Sequence, residues 1–178
     1  MTKIIYIENE IKDHKRTEQI CRKFKNPEII IINRFSEIFN KKNQSFRIQK
    51  TNPALIIAKK YNKLLLKTPE NYGIGNKCNY YFSYMYNCIF DCKYCFLQGL
   101  YSSANYVIFV NYEDFYNEIK KISDYNKQKN ITLFSGYDCD SLAFESVSNF
   151  MSYLIKKISK HKNIELEIRT KSTYTKSF

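Results

Sequence analysis

The sequence is short of several things, and each shortage excludes something. No apolar run approaches the roughly 18–20 residues that a membrane-spanning helix needs. The opening Met1-Thr-Lys-Ile-Ile-Tyr-Ile-Glu8 meets charge too early for the apolar core of a secretory leader. The expected location is therefore cytoplasmic. No internal repeat, heptad or low-complexity tract is present, so solenoid and coiled-coil architectures are excluded. Arginine is scarce, 5 against 24 lysines, and alanine numbers only 4, while isoleucine reaches 23 and asparagine 18. That skew is what A/T-rich codons impose on a whole chain. The formal net charge of +12 invites a nucleic-acid reading, because lysines that neutralise phosphates release counterions. Specific phosphate and base contacts favour arginine, however, so the charge alone leaves the partner open.

What is present suffices for folding. The 178 residues allow one medium domain or two small ones, and 44% hydrophobic with 26% charged residues supports a real core. The pattern predicts an α/β chain of two domains, 1–75 and 76–178. In the first, residues 3–8 read as a strand, 17–24 as a helix, and 28–32 as a buried β-branched strand after the stop at Pro27. A short helix over 35–39 and a hairpin of 55–58 with 64–66 complete a small α/β unit. Residues 68–75, with one proline and two glycines, read as a linker. In the second domain, strand-like 80–86 precedes a cysteine-bearing loop and a further apolar stretch at 106–110. A helix capped by Asn111 follows, then a strand at 131–134 ending at Ser135-Gly136. One long helix carries Val147, Phe150, Met151, Leu154, Ile155 and Ile158, and a last strand spans 164–168. Strand, helix, strand, helix, strand implies a parallel sheet covered by helices.

One motif is strong. Cys88-Ile-Phe-Asp-Cys92-Lys-Tyr-Cys95 places three thiolates within eight residues of a single loop. A structural zinc site wants four ligands, usually in two pairs, and no histidine lies near. Three cysteines can hold three irons of a 4Fe–4S cube and leave the fourth open. That open iron is what reductive cleavage of S-adenosylmethionine (SAM) to a 5′-deoxyadenosyl radical requires. Cys78 is the one residue that could complete a zinc set instead. The spacing is the signature of the radical SAM superfamily.

Asn87 through Gln98, Tyr101-Ser-Ser-Ala-Asn105, Phe109 to Asp114, Asp140-Ser141-Leu-Ala-Phe-Glu145 and Arg169-Thr-Lys171 together resemble the spore photoproduct lyase family over nearly the whole chain. The resemblance implies a small leading domain and a partial (β/α)6 barrel with the cluster at one end. It implies repair of a thymine photoproduct in DNA, in which the adenosyl radical takes a hydrogen from the lesion and a cysteine returns one. Cys88, Cys92 and Cys95 match the cluster ligands. Tyr94 matches a tyrosine of the hydrogen relay, but Phe96 stands where the family has a second relay tyrosine and has no O–H to give. Cys139 resembles the hydrogen-donor cysteine, offset by a residue or two from the family spacing. Asp140, Ser141 and Lys171 match positions holding SAM's amino and carboxylate ends, and Gly136 suits close approach of its methionine end. An N-cap explains Asp140 and Ser141 equally well. Partners implied are DNA and an electron donor such as flavodoxin or ferredoxin. The family barrel needs about three more strand–helix units after Ile168, so the chain reads as truncated after the third strand, with a missing C-terminal half that carries most lesion contacts.

Two other classes stay open: a zinc-binding basic nucleic-acid-binding module using Cys78, Cys88, Cys92 and Cys95, and an inactive truncated fragment. Cys21 reads as a core residue, His14 and His161 as surface residues, and the lysine pairs, Lys59-Lys60 among them, as solvated faces.

Overall fold

The computed structural model describes residues 2–174. In chain order its strands are β1 (Ile4–Glu8), β2 (Glu28–Ile32), β3 (Leu55–Ala58), β4 (Leu66–Lys67), β5 (Cys78–Phe82), β6 (Met85–Tyr86), β7 (Tyr106–Phe109), β8 (Ile131–Ser135) and β9 (Ile164–Glu167). The α-helices are α1 (Lys15–Cys21), α2 (Phe46–Lys50), α3 (Leu97–Leu100), α4 (Tyr112–Tyr125), α5 (Glu145–Ser148) and α6 (Phe150–Ile158). They fall into two units, Met1–Lys59 with Met85–Val110, and Lys60–Tyr84 with Asn111–Phe178. The expected boundary at residue 75 lies inside the second unit. The units interleave along the chain because β6 and β7 pair into the first unit's sheet.

In the first unit the strand order is β2-β1-β3-β7-β6, all parallel except β6 on β7. Every side chain of β3 is buried, as a central strand covered on both faces requires. At the sheet edge β2 leaves Ile29 50% and Ile31 49% exposed. Because β3 is flanked by β1 and β7, it has no edge left for a hairpin partner. The expected 64–66 strand is instead β4, antiparallel to β5 in the other sheet. The expected helix at 35–39 is a single 3₁₀ turn, Phe35–Glu37. His14 is no bystander: its Nδ1 accepts the Arg16 N–H at 3.1 Å and caps α1. Glu8 ends β1 fully buried, its carboxylate accepting the backbone N–H groups of Phe35 (2.7 Å) and Lys59 (2.9 Å). Phe35, Phe39, Tyr86, Tyr101 and Phe109 pack as an aromatic cluster. Edge-to-face and offset ring contacts of this kind add to plain area burial.

The second unit's sheet runs β4-β5-β8-β9, with β5, β8 and β9 parallel, as the alternation of strands and helices implies. The stretch 80–86 is not one strand. It breaks at Ser83-Tyr84, so that β5 and β6 serve different sheets. Phe150 is the hub of the core, stacked on Tyr84 at 4.5 Å and edge-on to Tyr112 (4.9 Å) and Phe115 (5.3 Å). The expected long helix is two, α5 and α6, parted by Asn149 in the left-handed region (φ 54°). Fully buried Glu145 then serves the new helix start, accepting the N–H of Met151 (3.0 Å) and Ser152 (2.9 Å). Asn111 stands at the N-cap of α4 without capping it. Its Oδ1 takes the Lys60 N–H (2.9 Å), and its Nδ2 donates to the Lys60 carbonyl and to Asp114. Lys60 is buried, contrary to the solvated face expected, with its ammonium donating to the Ser83 carbonyl at 3.0 Å. His161 is likewise engaged, 3.1 Å from the Ser123 hydroxyl and 3.3 Å from that of Tyr116. Among the described residues no helix is long and apolar enough to cross a membrane.

Candidate functional site

The cysteine loop belongs to the first unit and joins β6 to α3. Asn87 launches it in the left-handed region (φ 63°), a conformation asparagine tolerates. Its buried amide donates to the carbonyls of Ser103 (2.7 Å) and Asn105 (2.8 Å), fixing where the loop begins, while Oδ1 has no hydrogen-bond partner among the described residues. Cys88, Cys92 and Cys95 are all half-buried. The Phe90 N–H points to Cys88 Sγ at 3.4 Å, and the Cys95 N–H closes a turn on the Cys92 carbonyl at 2.9 Å. Asp91, the loop's carboxylate, is bonded to Lys50 and Gln98. The Lys50 hydrogen bond and charge hold its pKa below the ordinary value. A small cavity beside Cys88 is lined by Phe46, Lys50, Asn87, Phe90, Leu97 and Gln98. Burial, helped by Cys88 and Asp91, pushes the Tyr106 phenol up. Tyr94 is 83% exposed and Phe96 59%.

The donor set suits a soft, sulfur-ligated group. It has three thiols, no histidine, and its one carboxylate is already paired. As they stand, no three His, Cys, Asp or Glu side chains among the described residues are gathered closely enough to hold a metal ion. Cys78, the candidate fourth zinc ligand, lies on β5 in the second unit, with its Sγ 3.8 Å from Asn126 Oδ1.

The remaining site residues predicted from sequence all lie in the second unit, at the C-terminal ends of β8 and β9. Gly136 (φ +75°) turns the chain after β8, and a Cβ there would stand 2.8 Å from the Cys139 carbonyl, the Ser141 N and the Ser141 Oγ. The close approach that demands glycine is thus made by the chain's own loop. Ser141 is fully buried. Its Oγ meets the Ser135 hydroxyl at 2.7 Å and accepts the Arg169 N–H at 3.1 Å, while the Ser141 N–H donates to the Arg169 carbonyl at 3.0 Å. Asp140 is not the N-cap of α5, a position held by Phe144, and its carboxylate is taken up by groups of the chain itself. Oδ1 caps the following turn through the Leu142 N–H (2.9 Å) and accepts the Thr170 hydroxyl (2.7 Å), and Oδ2 takes the Lys171 N–H (2.6 Å). Cys139 is 3% exposed, in a core with Tyr84 and Lys60. Burial first, opposed by Asp138 and Cys139, drives the Lys60 pKa down to about 8.

Sequence reasoning did not find Lys50 as a partner of the cysteine loop. A carboxylate between two cysteines signals the need for a cation, but the lysine that answers it is 41 residues away in sequence. It also did not find Lys60 or Glu145 as buried charges, for which a solvated lysine pair and a helix interior are the local patterns.

The fold is mixed α/β with parallel sheets, and it follows part of a longer solved fold. The solved structures that show it are of spore photoproduct lyase. One, a variant with bound AdoMet and a dinucleoside spore photoproduct, matches with a TM-score of 0.77 at 15% identity. A second, complexed with dinucleoside spore photoproduct, gives 0.75 at 16%. A third, a tyrosine-to-phenylalanine variant, gives 0.76 at 16%. Each match covers 93% of this chain and 48% of the other, so the chain spans about half the length of the structures it resembles. No protein-family model and no curated protein matches the sequence.

Proposed function

We propose that the chain is a radical SAM protein, or a portion of one, similar to spore photoproduct lyase. Cys88, Cys92 and Cys95 hold three irons of a 4Fe–4S cluster, and the fourth is left for SAM. A cluster held there supplies the single electron for reductive cleavage of SAM's sulfonium C–S bond. One observation carries the reading. Three thiols share one strand-to-helix loop, and the fold around it follows spore photoproduct lyase over 93% of the chain.

The chain's own residues then take distinct parts. With Asp91 engaged by Lys50 and Gln98, the loop offers its thiols as metal donors. The Phe90 N–H, 3.4 Å from Cys88 Sγ, fixes the position of the first of them. In the second unit Asp140 holds the backbone of Lys171, whose ammonium is assigned to SAM's carboxylate. Ser141 ties the turn after β8 to the end of β9, and Gly136 permits that turn. Both are assigned to the shape of the SAM site. Cys139 is assigned to hydrogen return and Tyr94 to the relay, which Phe96 cannot extend. The substrate class is a thymine photoproduct in DNA. The partners are DNA, a flavodoxin- or ferredoxin-like electron donor, and the rest of the barrel, all in the cytoplasm.

Anaerobic reconstitution with iron and sulfide, followed by EPR of the dithionite-reduced protein, tests the reading. A reduced-cluster signal that changes on adding SAM and disappears in Cys88→Ala is the expected result. One bound zinc without sulfide replaces the reading with the zinc module. Neither metal replaces it with an inactive fragment.

A further inference from the structure

Within the first unit, three side chains from residues 40–50 grip the cysteine loop and the segment after it. Asn40 Oδ1 accepts the N–H of Ser102 at 2.7 Å and its hydroxyl at 3.0 Å. Gln49 Oε1 accepts the Ala104 N–H at 2.9 Å and the Ser103 hydroxyl at 3.0 Å. The Lys50 ammonium bonds to both the Asp91 carboxylate and Gln98 Oε1, and Gln98 Nε2 closes the triangle on Asp91 at 3.0 Å. The first two grips take groups beyond α3 and serve the fold. The third differs in kind, because Asp91 stands between the first and second cysteines.

An isolated surface ion pair contributes little. This one joins α2 to two points 41 and 48 residues away in sequence, and the Lys50 ammonium lies 5.4 Å from the centre of the Phe46 ring beneath it. Its charge also has a local consequence. A loop carrying three thiolates and a bare carboxylate concentrates negative charge, and the potential of a sulfur-ligated cluster follows the net charge around it.

We propose that Lys50 is a positioning residue of the cysteine loop. It ties Asp91 and Gln98 to α2 and offsets the negative charge that Asp91 adds beside the thiolates. The charge half of this inference rests on the cluster reading, whereas the loop-holding half does not.

The test uses the full chain and four variants: Lys50→Gln, Lys50→Arg, Asp91→Asn and the double Lys50→Gln/Asp91→Asn. In the metal-free protein, alkylation of each cysteine by iodoacetamide is followed by peptide mass spectrometry. The double variant, which breaks the tie without leaving an uncompensated carboxylate that would slow alkylation, should speed the reaction of Cys88 and Cys92 roughly two- to fivefold, the range set by losing one ion pair. Lys50→Arg should stay at the parent rate, and Cys21 on α1 should not respond. In the reconstituted protein, an EPR-monitored redox titration should place Lys50→Gln at a more negative midpoint than the parent. Asp91→Asn should be more positive, and the double variant should return close to the parent. Unchanged Cys88 and Cys92 rates in the double variant overturn the proposal. An acceleration shared by Cys21 also overturns it, since that marks a residue of the whole fold. If rates respond but the midpoint does not, the charge half is overturned and the loop-holding half stands. A parent that takes up no cluster refutes the cluster reading, and with it the charge half, while the alkylation rates still decide the loop-holding half.

Discussion

Replacing Gly136 with alanine probes how the second unit shapes its turn after β8. Two costs add there. A non-glycine residue in the left-handed region costs roughly 1–2 kcal/mol. The new methyl would also stand 2.8 Å from a carbonyl oxygen, an amide nitrogen and a hydroxyl, two of them backbone atoms that cannot swing aside. Overpacking of that kind costs roughly 1–3 kcal/mol more. Gly136→Ala should therefore lose about 2–5 kcal/mol, a large fraction of what a domain has. Two other glycines separate the terms. Gly75 shares the conformation (φ +71°) but has nothing among the described residues within 4 Å of the added methyl, so Gly75→Ala should lose only about 1–2 kcal/mol. Gly99 lies inside α3 with open space around it, so Gly99→Ala should gain about 0.5–1 kcal/mol from helix propensity. Urea denaturation followed by far-ultraviolet circular dichroism, with slopes compared across the series, measures all three. A Gly136→Ala loss no larger than that of Gly75→Ala refutes the close approach of Cys139 and Ser141 to the turn.

Glu145→Gln should cost about 2–3 kcal/mol, because an amide cannot accept as a carboxylate does from the N–H groups that open α6; a midpoint matching the parent in the same assay sinks that account. Asn149→Gly should hold or slightly raise stability while Asn149→Ala loses about 1 kcal/mol, since only the left-handed φ of 54° distinguishes them; equal stabilities of the two would contradict it. Lys60, whose folded pKa of about 8 lies below the ordinary lysine value of 10.5, is protonated in both states below pH 8 and in neither above 10.5. Between those limits the unfolded chain binds more protons, so the parent should gain stability relative to Lys60→Met as pH rises from 8 to 10.5, by on the order of 1–3 kcal/mol. A flat difference between the two stability–pH curves over that window would show that Lys60 is not held in a desolvating site.

The sequence by itself determined what depends on local chemistry. Period and β-branching mark β1, β2, β3, β8 and β9, because strands built from isoleucine are recognisable wherever they pair. The cysteine spacing marks one loop as a candidate metal site, because eight residues confine three thiols whatever surrounds them. Tertiary structure alone decided what depends on partners distant in sequence. Whether 64–66 pairs with β3 depends on β7 taking that edge first, and β7 lies some fifty residues on. Whether 80–86 is one strand depends on two sheets competing for its ends. The apolar stripe over Val147 to Ile158 reads the same for one helix or two. The break at Asn149 is held by a buried carboxylate that a helix-interior pattern does not announce. Lys60 looks like half of a solvated pair until Ser83 and Phe115 close over it. Lys50 looks like any surface lysine until folding brings Asp91 to it. Short-range pattern carries information about which groups are available, and only the folded chain settles which of them meet, because a contact's energy is set by geometry that sequence separation does not encode.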